Sequence, residues 1–443
     1  MARGKLSFVF SILVMLSLAY FGVNIAYTSL TAPPPIVESE PSEEIEEKPV
    51  DNRTPEEKSK WDIDGVIWGL SVDWKALYPA RESEEAEEKS VSERIAAFVG
   101  AIDESTEAYR AAIADAEGEI ETAASENAPH YREIVELANA YDKWLGWEIV
   151  DPLSYNPVIE AEEGYFHTCA PRADQSARAQ TVFAHAALAE ENETPYLFVQ
   201  LPSKTCRESA ASGTTDFYNQ NADRLLEKIE KEGIVTLDLR EKMHEEGMVH
   251  HEQFYKTDHH WLPETGLWAA KTIAQTLNEN YGFAADLSLL EKENFEPELY
   301  EEWFLGSQGK KVTLARASAE DFALWHPKYE TALRIEIPSL GLDKRGTLAV
   351  CYRYGALLNK DLYHENPYGA YLYGDQALVR ITNERKEDGR VLILGDSYDN
   401  CVVPFFAQAV QRVDTLDLRV FDGSLEAFLA ENEYDLIIEM TTK

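Results

Sequence analysis

A chain of 443 residues with a formal charge of −39 and a pI near 4.6 is long enough to bury a sizeable core, either as one large domain with extensions or as two modest domains. The acidic excess excludes nucleic acid as a partner, because no basic surface is present to displace counterions from phosphate. The same repulsion makes a strongly anionic polymer a poor substrate unless the charge lies away from the site.

Arg3 and Lys5 precede an uncharged, largely apolar run over residues 8–27, close to the roughly 20 residues that cross a bilayer as a helix. Positive residues ahead of the run predict a cytoplasmic N-terminus and an exported body. Residues 1–31 are therefore read as a single-pass transmembrane anchor, with a cleaved signal peptide as the alternative and secretion as its consequence. On either reading the body works outside the cytoplasm. Pro33, Pro34 and Pro35 open an acidic stretch containing Glu38, Glu40, Glu43, Glu44, Glu46 and Glu47, so residues 32–60 read as a stiff, charged linker. Over residues 61–150, Ile95, Phe98, Ile102, Tyr109 and Ile113 recur at helical spacing with a break near 125–129, which predicts a helical elaboration. Its tryptophans Trp61, Trp68 and Trp74, with Trp144 and Trp147, suit core packing, or else a carbohydrate surface on a protein without catalysis.

From residue 151 to 443 helical and strand patterns alternate. Helices are expected over residues 173–190, 217–232, 263–277 and 402–410. Strands are expected over 196–201, 234–239, 332–337, 347–352, 390–394 and 434–440, with an irregular insertion near 281–330. Such alternation predicts an α/β layer fold with a mostly parallel sheet. The four cysteines, Cys169, Cys206, Cys351 and Cys401, lack the paired short spacing of a zinc site. In an exported protein Cys169 and Cys206, both in loop-like sequence, are the preferred disulfide; Cys351 and Cys401 sit among apolar residues as buried thiols.

The strand over 390–394 delivers Gly395-Asp396-Ser397, placing a hydroxyl where a strand ends and a helix begins. A serine needs a base to become a nucleophile, and free N–H groups at a helix start can stabilise an oxyanion. A helix-capping serine would look the same in isolation. Far upstream, Thr257-Asp258-His259-His260-Trp261 offers an acid and an imidazole two positions apart, a spacing that in an extended loop projects both to one side and sends His259 away. Ser397 as nucleophile, His260 as base and Asp258 as orienting acid make a complete acyl-transfer set, with His259 the alternative base. An ordinary surface loop would account for the histidine triplet alone. His250 and His251 nearby read as a solvent-exposed pair.

Residues 257–261 resemble the signature of the DHHW protein family, and with Gly395-Asp396-Ser397 they resemble the SGNH hydrolase-like O-acetyltransferases of the alginate-acetylation type. The likeness runs from about residue 196 to the C-terminus. It implies a three-layer SGNH-like, flavodoxin-like catalytic domain, with Asp258, His260 and Ser397 in the family's catalytic roles and no cofactor or metal. It also implies a cell-surface polysaccharide as acceptor and a membrane-bound O-acyltransferase as the partner that supplies acetyl. The family's oxyanion hole uses a glycine N–H and an asparagine amide, for which Gly374-Asp375 is the nearest match; an ionised Asp375 would repel the developing charge. Asp-His-His also evokes manganese-dependent phosphoesterases, but the Asp-x-Asp element they require is missing from the earlier strand ends.

Overall fold

Residues 391–394 offer no polar position to solvent, so the strand they form must be covered on both faces. In the computed structural model it lies inside an eight-stranded sheet. The structure describes residues 131–150, 158–205 and 216–441. Of these, residues from 139 onward belong to one compact unit and residues 131–138 to another. The apolar run at 8–27, the acidic linker and the helical elaboration as far as residue 130 lie outside the described residues. Among the described residues no helix is long and apolar enough to cross a membrane.

Helix α1 (Tyr131–Leu145) is followed by a small antiparallel sheet of β1 (Ile149–Val150), β2 (Val158–Glu160) and β3 (Phe166–His167). Next come α2 (Ser176–Glu191), β4 (Tyr196–Gln200), α3 (Tyr218–Lys231), β5 (Thr236–Asp238), α4 (Leu239–Glu245) and α5 (Pro263–Asn280). A separate two-stranded sheet, β6 (Phe295–Phe304) and β7 (Glu320–Pro327), encloses α6 (Ser307–Arg316). The chain closes with β8 (Leu333–Ile337), β9 (Leu342–Gly346), β10 (Leu378–Asn383), β11 (Arg390–Gly395), α7 (Val403–Phe406), β12 (Arg412–Asp417), α8 (Leu425–Glu431) and β13 (Leu436–Met440).

Across the main sheet the order is β5-β4-β13-β11-β12-β10-β8-β9. The first five strands are parallel, as expected; β10, β8 and β9 extend them antiparallel, which was not expected, so the sheet as a whole is mixed. The reason lies in patterning. In β11 and β13 every residue but Arg390 is buried, as in strands covered on both faces, whereas β8 alternates, with Leu333, Ile335 and Ile337 buried and Arg334 and Glu336 half-exposed. A strand with one wet face suits an antiparallel extension. Asp343, Lys344 and Arg345 on β9 charge the free edge and discourage further pairing.

Two helical layers cover the parallel part. Leu197 and Val199 of β4 join the core cluster that contains α5, while Phe198, on the opposite face, packs with Val182 of α2 and Leu225 and Ile229 of α3. Each fully buried Leu, Ile or Val here contributes about 1.5–3 kcal/mol by leaving water. Two expected elements differ. Residues 347–352 form a 3-10 turn (Leu348–Cys351) instead of a strand, and the helix expected over 402–410 shortens to Val403–Phe406.

Candidate active site

Strand β11 ends at Gly395, where an added β-carbon would fall 2.0 Å from Asp399 Oδ2; nothing larger than glycine fits. Asp396 then organises the turn. Its Oδ1 accepts the Tyr398 N–H (3.1 Å) and its backbone oxygen accepts the Asp399 N–H (2.9 Å). This presents Ser397 at the carboxyl end of the sheet, with its own N–H lacking an acceptor among the described residues. Behind the turn, Asp399 is buried and accepts from Thr415 Oγ1 (2.5 Å). Burial, reinforced by the neighbouring Asp396, Asp417 and Asp375, pushes its carboxyl well above the ordinary range.

The Asp-His-His segment is not extended. A bridge between Phe254 and Trp261 and a bond from the Tyr255 N–H to His260 O (3.2 Å) pinch residues 254–261 into a tight loop. Inside it, Asp258 Oδ1 accepts both the backbone N–H of His260 (3.0 Å) and its ring Nδ1–H (2.5 Å), an Asx turn that brings acid and imidazole together at a two-residue spacing. Asp258 Oδ2 accepts the Ser307 N–H (2.6 Å). Burial alone would raise the Asp258 carboxyl; the charge and hydrogen bond of His260, the nearby His259 and the Ser307 N–H outweigh it and hold the group well below the usual carboxylate range. On its other side, His260 Nε2 lies 2.8 Å from Ser397 Oγ. Because the ionised Asp258 can only accept, Nδ1 carries the proton and Nε2 offers its lone pair to the serine.

Several residues that sequence reasoning did not identify hold the two segments in register. Trp261 Nε1–H donates to Tyr398 O (3.1 Å), and the Tyr398 hydroxyl donates back to His259 O (2.5 Å). Tyr368 stacks on the His260 ring, centroids 4.0 Å apart and planes 18° from parallel. Gly266 lets α5 approach the turn after Ser397: a β-carbon there would meet Cys401 O and Sγ at 2.6 Å. From the other side the β6–α6–β7 insertion grips the loop. Gly306 N–H donates to Thr257 Oγ1 (3.0 Å), Gly309 N–H to Thr257 O (2.8 Å), and Glu320 accepts the N–H groups of Lys256 and Thr257 (2.7 Å each).

The other expected residues are placed differently. The His259 ring does not point away; it lies against the His260 ring with centroids 3.8 Å apart, half-exposed, its Nδ1 3.2 Å from Ser307 Oγ. Gly374 spends its N–H on Tyr371 O (2.9 Å), and Asp375 accepts from the Asn400 amide (2.9 Å) and Arg419 (3.0 Å), so the tentative oxyanion pair is engaged elsewhere. Cys351 and Cys401 are buried thiols, while the expected partner of Cys169, Cys206, lies outside the described residues. His250 turns inward onto Ser203 O (2.5 Å) instead of facing solvent. Trp144 and Trp147 are exposed instead of packed in a core; Trp61, Trp68 and Trp74 lie outside the described residues. Ligand atoms of Asp258, His259 and His260 lie within 4.8 Å of one another, as a metal would need. Both oxygens of Asp258 are, however, already used by His260 and Ser307.

In this mixed sheet a serine at the end of a parallel strand faces an Asp-x-His turn. Residues 162–301 match the family described as the SGNH hydrolase-like domain of acetyltransferase AlgX. Among solved structures, PatB1 of Bacillus cereus with a sulfonyl adduct is similar at 17% identity and a TM-score of 0.54, covering 65% of this chain and 95% of that one. A second PatB1 structure matches at the same identity and coverage with a TM-score of 0.53. A DHHW family protein from Eubacterium siraeum is similar at 17% identity, over 65% of this chain and 90% of that one, with a TM-score of 0.48. No curated protein matches the chain.

Proposed function

We propose that this protein transfers an acyl group, acetyl before any other, to or from a cell-surface polysaccharide through an acyl-Ser397 intermediate. The observation that carries the reading is the continuous chain from Asp258 through His260 to Ser397, at 2.5 and 2.8 Å. With Nδ1–H fixed by Asp258, His260 Nε2 takes the proton as Ser397 Oγ attacks the acyl carbonyl. The oxyanion of the tetrahedral intermediate meets the uncommitted Ser397 N–H. The leaving group departs with the proton from Nε2. A sugar hydroxyl then gives its proton to Nε2 as it attacks the acyl-serine ester, the bond from the acyl carbon to Ser397 Oγ breaks, and Oγ leaves with the proton from Nε2; water in place of the sugar would give hydrolysis. The match to an acetyltransferase family supports this chemistry. So does the sulfonyl adduct recorded for PatB1, since activated hydroxyls form such adducts. In this proposal the reaction takes place outside the cytoplasm, the apolar run at 8–27 acting as an anchor or a cleaved signal, with a membrane-bound O-acyltransferase as the donor of acetyl.

Incubation with a sulfonyl fluoride, read by intact mass, tests the proposal. One adduct per chain is expected on the full-length protein and none on Ser397→Ala, with acetyl-ester turnover lost in parallel. Labelling that survives in Ser397→Ala sinks the assignment. An unreactive wild-type protein would instead favour a silent polysaccharide-binding fold, a reading to which the engaged Gly374 and Asp375 lend weight.

A further inference from the structure

Lys204 lies in the segment after β4 and is only 8% exposed. Its ammonium makes three hydrogen bonds: to Phe166 O on β3 (2.6 Å), to Lys256 O (3.0 Å) and to Gln308 Oε1 on α6 (2.8 Å). Two of these acceptors bracket the acid of the site. Lys256 opens the loop that carries Asp258, and Gln308 follows Ser307, whose N–H holds Asp258 Oδ2. The expected catalytic set of Asp258, His260 and Ser397 gives Lys204 no role.

We propose that Lys204, in its ammonium form, is a positioning residue for acyl transfer, tying β3, the Asp258 loop and α6 into one support that fixes Asp258 against His260. The inference rests on reading Asp258, His260 and Ser397 as the reacting chain. An ammonium has three N–H bonds for three acceptors; a neutral amine has two, and would turn its lone pair on a carbonyl or amide oxygen. Losing the proton therefore breaks one of the three ties and removes the positive charge that neighbours Asp258.

The groups facing Lys204 are Asp258 and His259 on the loop, Glu320 on β7 and His167 on β3. Burial lowers His167, so it carries no charge near neutrality, while His259 is half-exposed. Asp258 remains ionised. Burial raises the Glu320 carboxyl against the pull of its donors from Thr257 and Lys256. Burial likewise lowers Lys204 to about 7, against the pull of Asp258 and Glu320, so the ammonium is lost as pH rises through that value.

The test is the pH profile of kcat and KM for acetyl-ester turnover by the full chain. The wild-type rate is expected to fall on the alkaline side as Lys204 deprotonates. Lys204→Met should lower kcat on the order of 10- to 100-fold with little change in KM, and its residual activity should lack that alkaline fall. Gln308→Leu removes an acceptor that favours the charged form, so its alkaline fall should move to lower pH. A wild-type profile flat through pH 9, or Lys204→Met with the wild-type kcat and profile, overturns the proposal. If Lys204→Met does not fold, Gln308→Leu decides alone, and an unmoved alkaline fall overturns it. Ser397→Ala separates the two readings: activity surviving in that variant defeats the catalytic assignment, whatever Lys204 does.

Discussion

Asp258 accepts three donors with two oxygens: the backbone and ring N–H groups of His260 on one, and the Ser307 N–H on the other. Replacement by asparagine keeps the volume but substitutes an amide for one carboxylate oxygen. His260 then loses the charge that stabilises its protonated form, and the tautomer that leaves Nε2 free to accept is no longer enforced. Asp258→Asn should therefore lower kcat/KM by about 10⁴, the scale of the equivalent change in serine proteases, with circular dichroism unchanged. His259 shares the loop yet bonds to Ser307, so His259→Ala should cost less than about tenfold. A loss at His259 as deep as at His260 would make His259 part of the reacting chain. These three side chains were legible because each sits in a short motif whose chemistry is local: a strand-end serine, and an acid two residues before an imidazole. Tyr368 and Tyr398 were not, because a stacked ring and a returned hydroxyl bond depend on residues more than a hundred positions away.

Among the elements, the β6–α6–β7 insertion reads in sequence only as an irregular stretch, yet it supplies Gly306, Ser307 and Glu320 to the back of the Asp258 loop. Its strands escaped notice because β6 is mostly exposed along its length, so no alternation of apolar and polar residues marks it. The run at 347–352 erred the other way, since a short apolar stretch of fixed composition suits a strand or a buried turn equally. The parallel strands β4, β11 and β13 were legible, because only continuous burial explains an unbroken apolar run ending in a turn. Gly306 tests the insertion's role. Its φ of −71° is open to any residue, so substitution brings no backbone strain; a β-carbon would however lie 2.2 Å from Asp258 Cβ and 2.5 Å from its Oδ2. Gly306→Ala must displace either α6 or the acid. The expected result is a fall in kcat on the order of 100-fold with the fold retained, since a shift near 1 Å at a catalytic group has that cost. Full activity in Gly306→Ala would mean that the loop holds Asp258 without help from the insertion.

For the molecule as a whole, the charge of −39 acts on whatever polymer approaches Ser397. Close to the serine turn the same sign prevails. A small recess there is lined by Asp375, Asp396, Asp399 and Asp417 along with Asn400 and Thr415. Arg419 bonds to Asp375 and Asp417, and one cation against these carboxylates leaves the local charge negative. A neutral glycan meets no long-range penalty here, whereas a polyuronate must bring its charges against a like field. Screening distinguishes the two, because the Debye length contracts from about 30 Å at 0.01 M salt to about 8 Å at 0.15 M. With a neutral oligosaccharide acceptor, kcat/KM should change less than about twofold across that range; with a polyanionic acceptor it should start lower and climb roughly tenfold as salt is added. A polyanion that reacts faster at low salt, and slows as salt rises, would require a basic track to the serine that the composition and the Asp-lined recess both argue against.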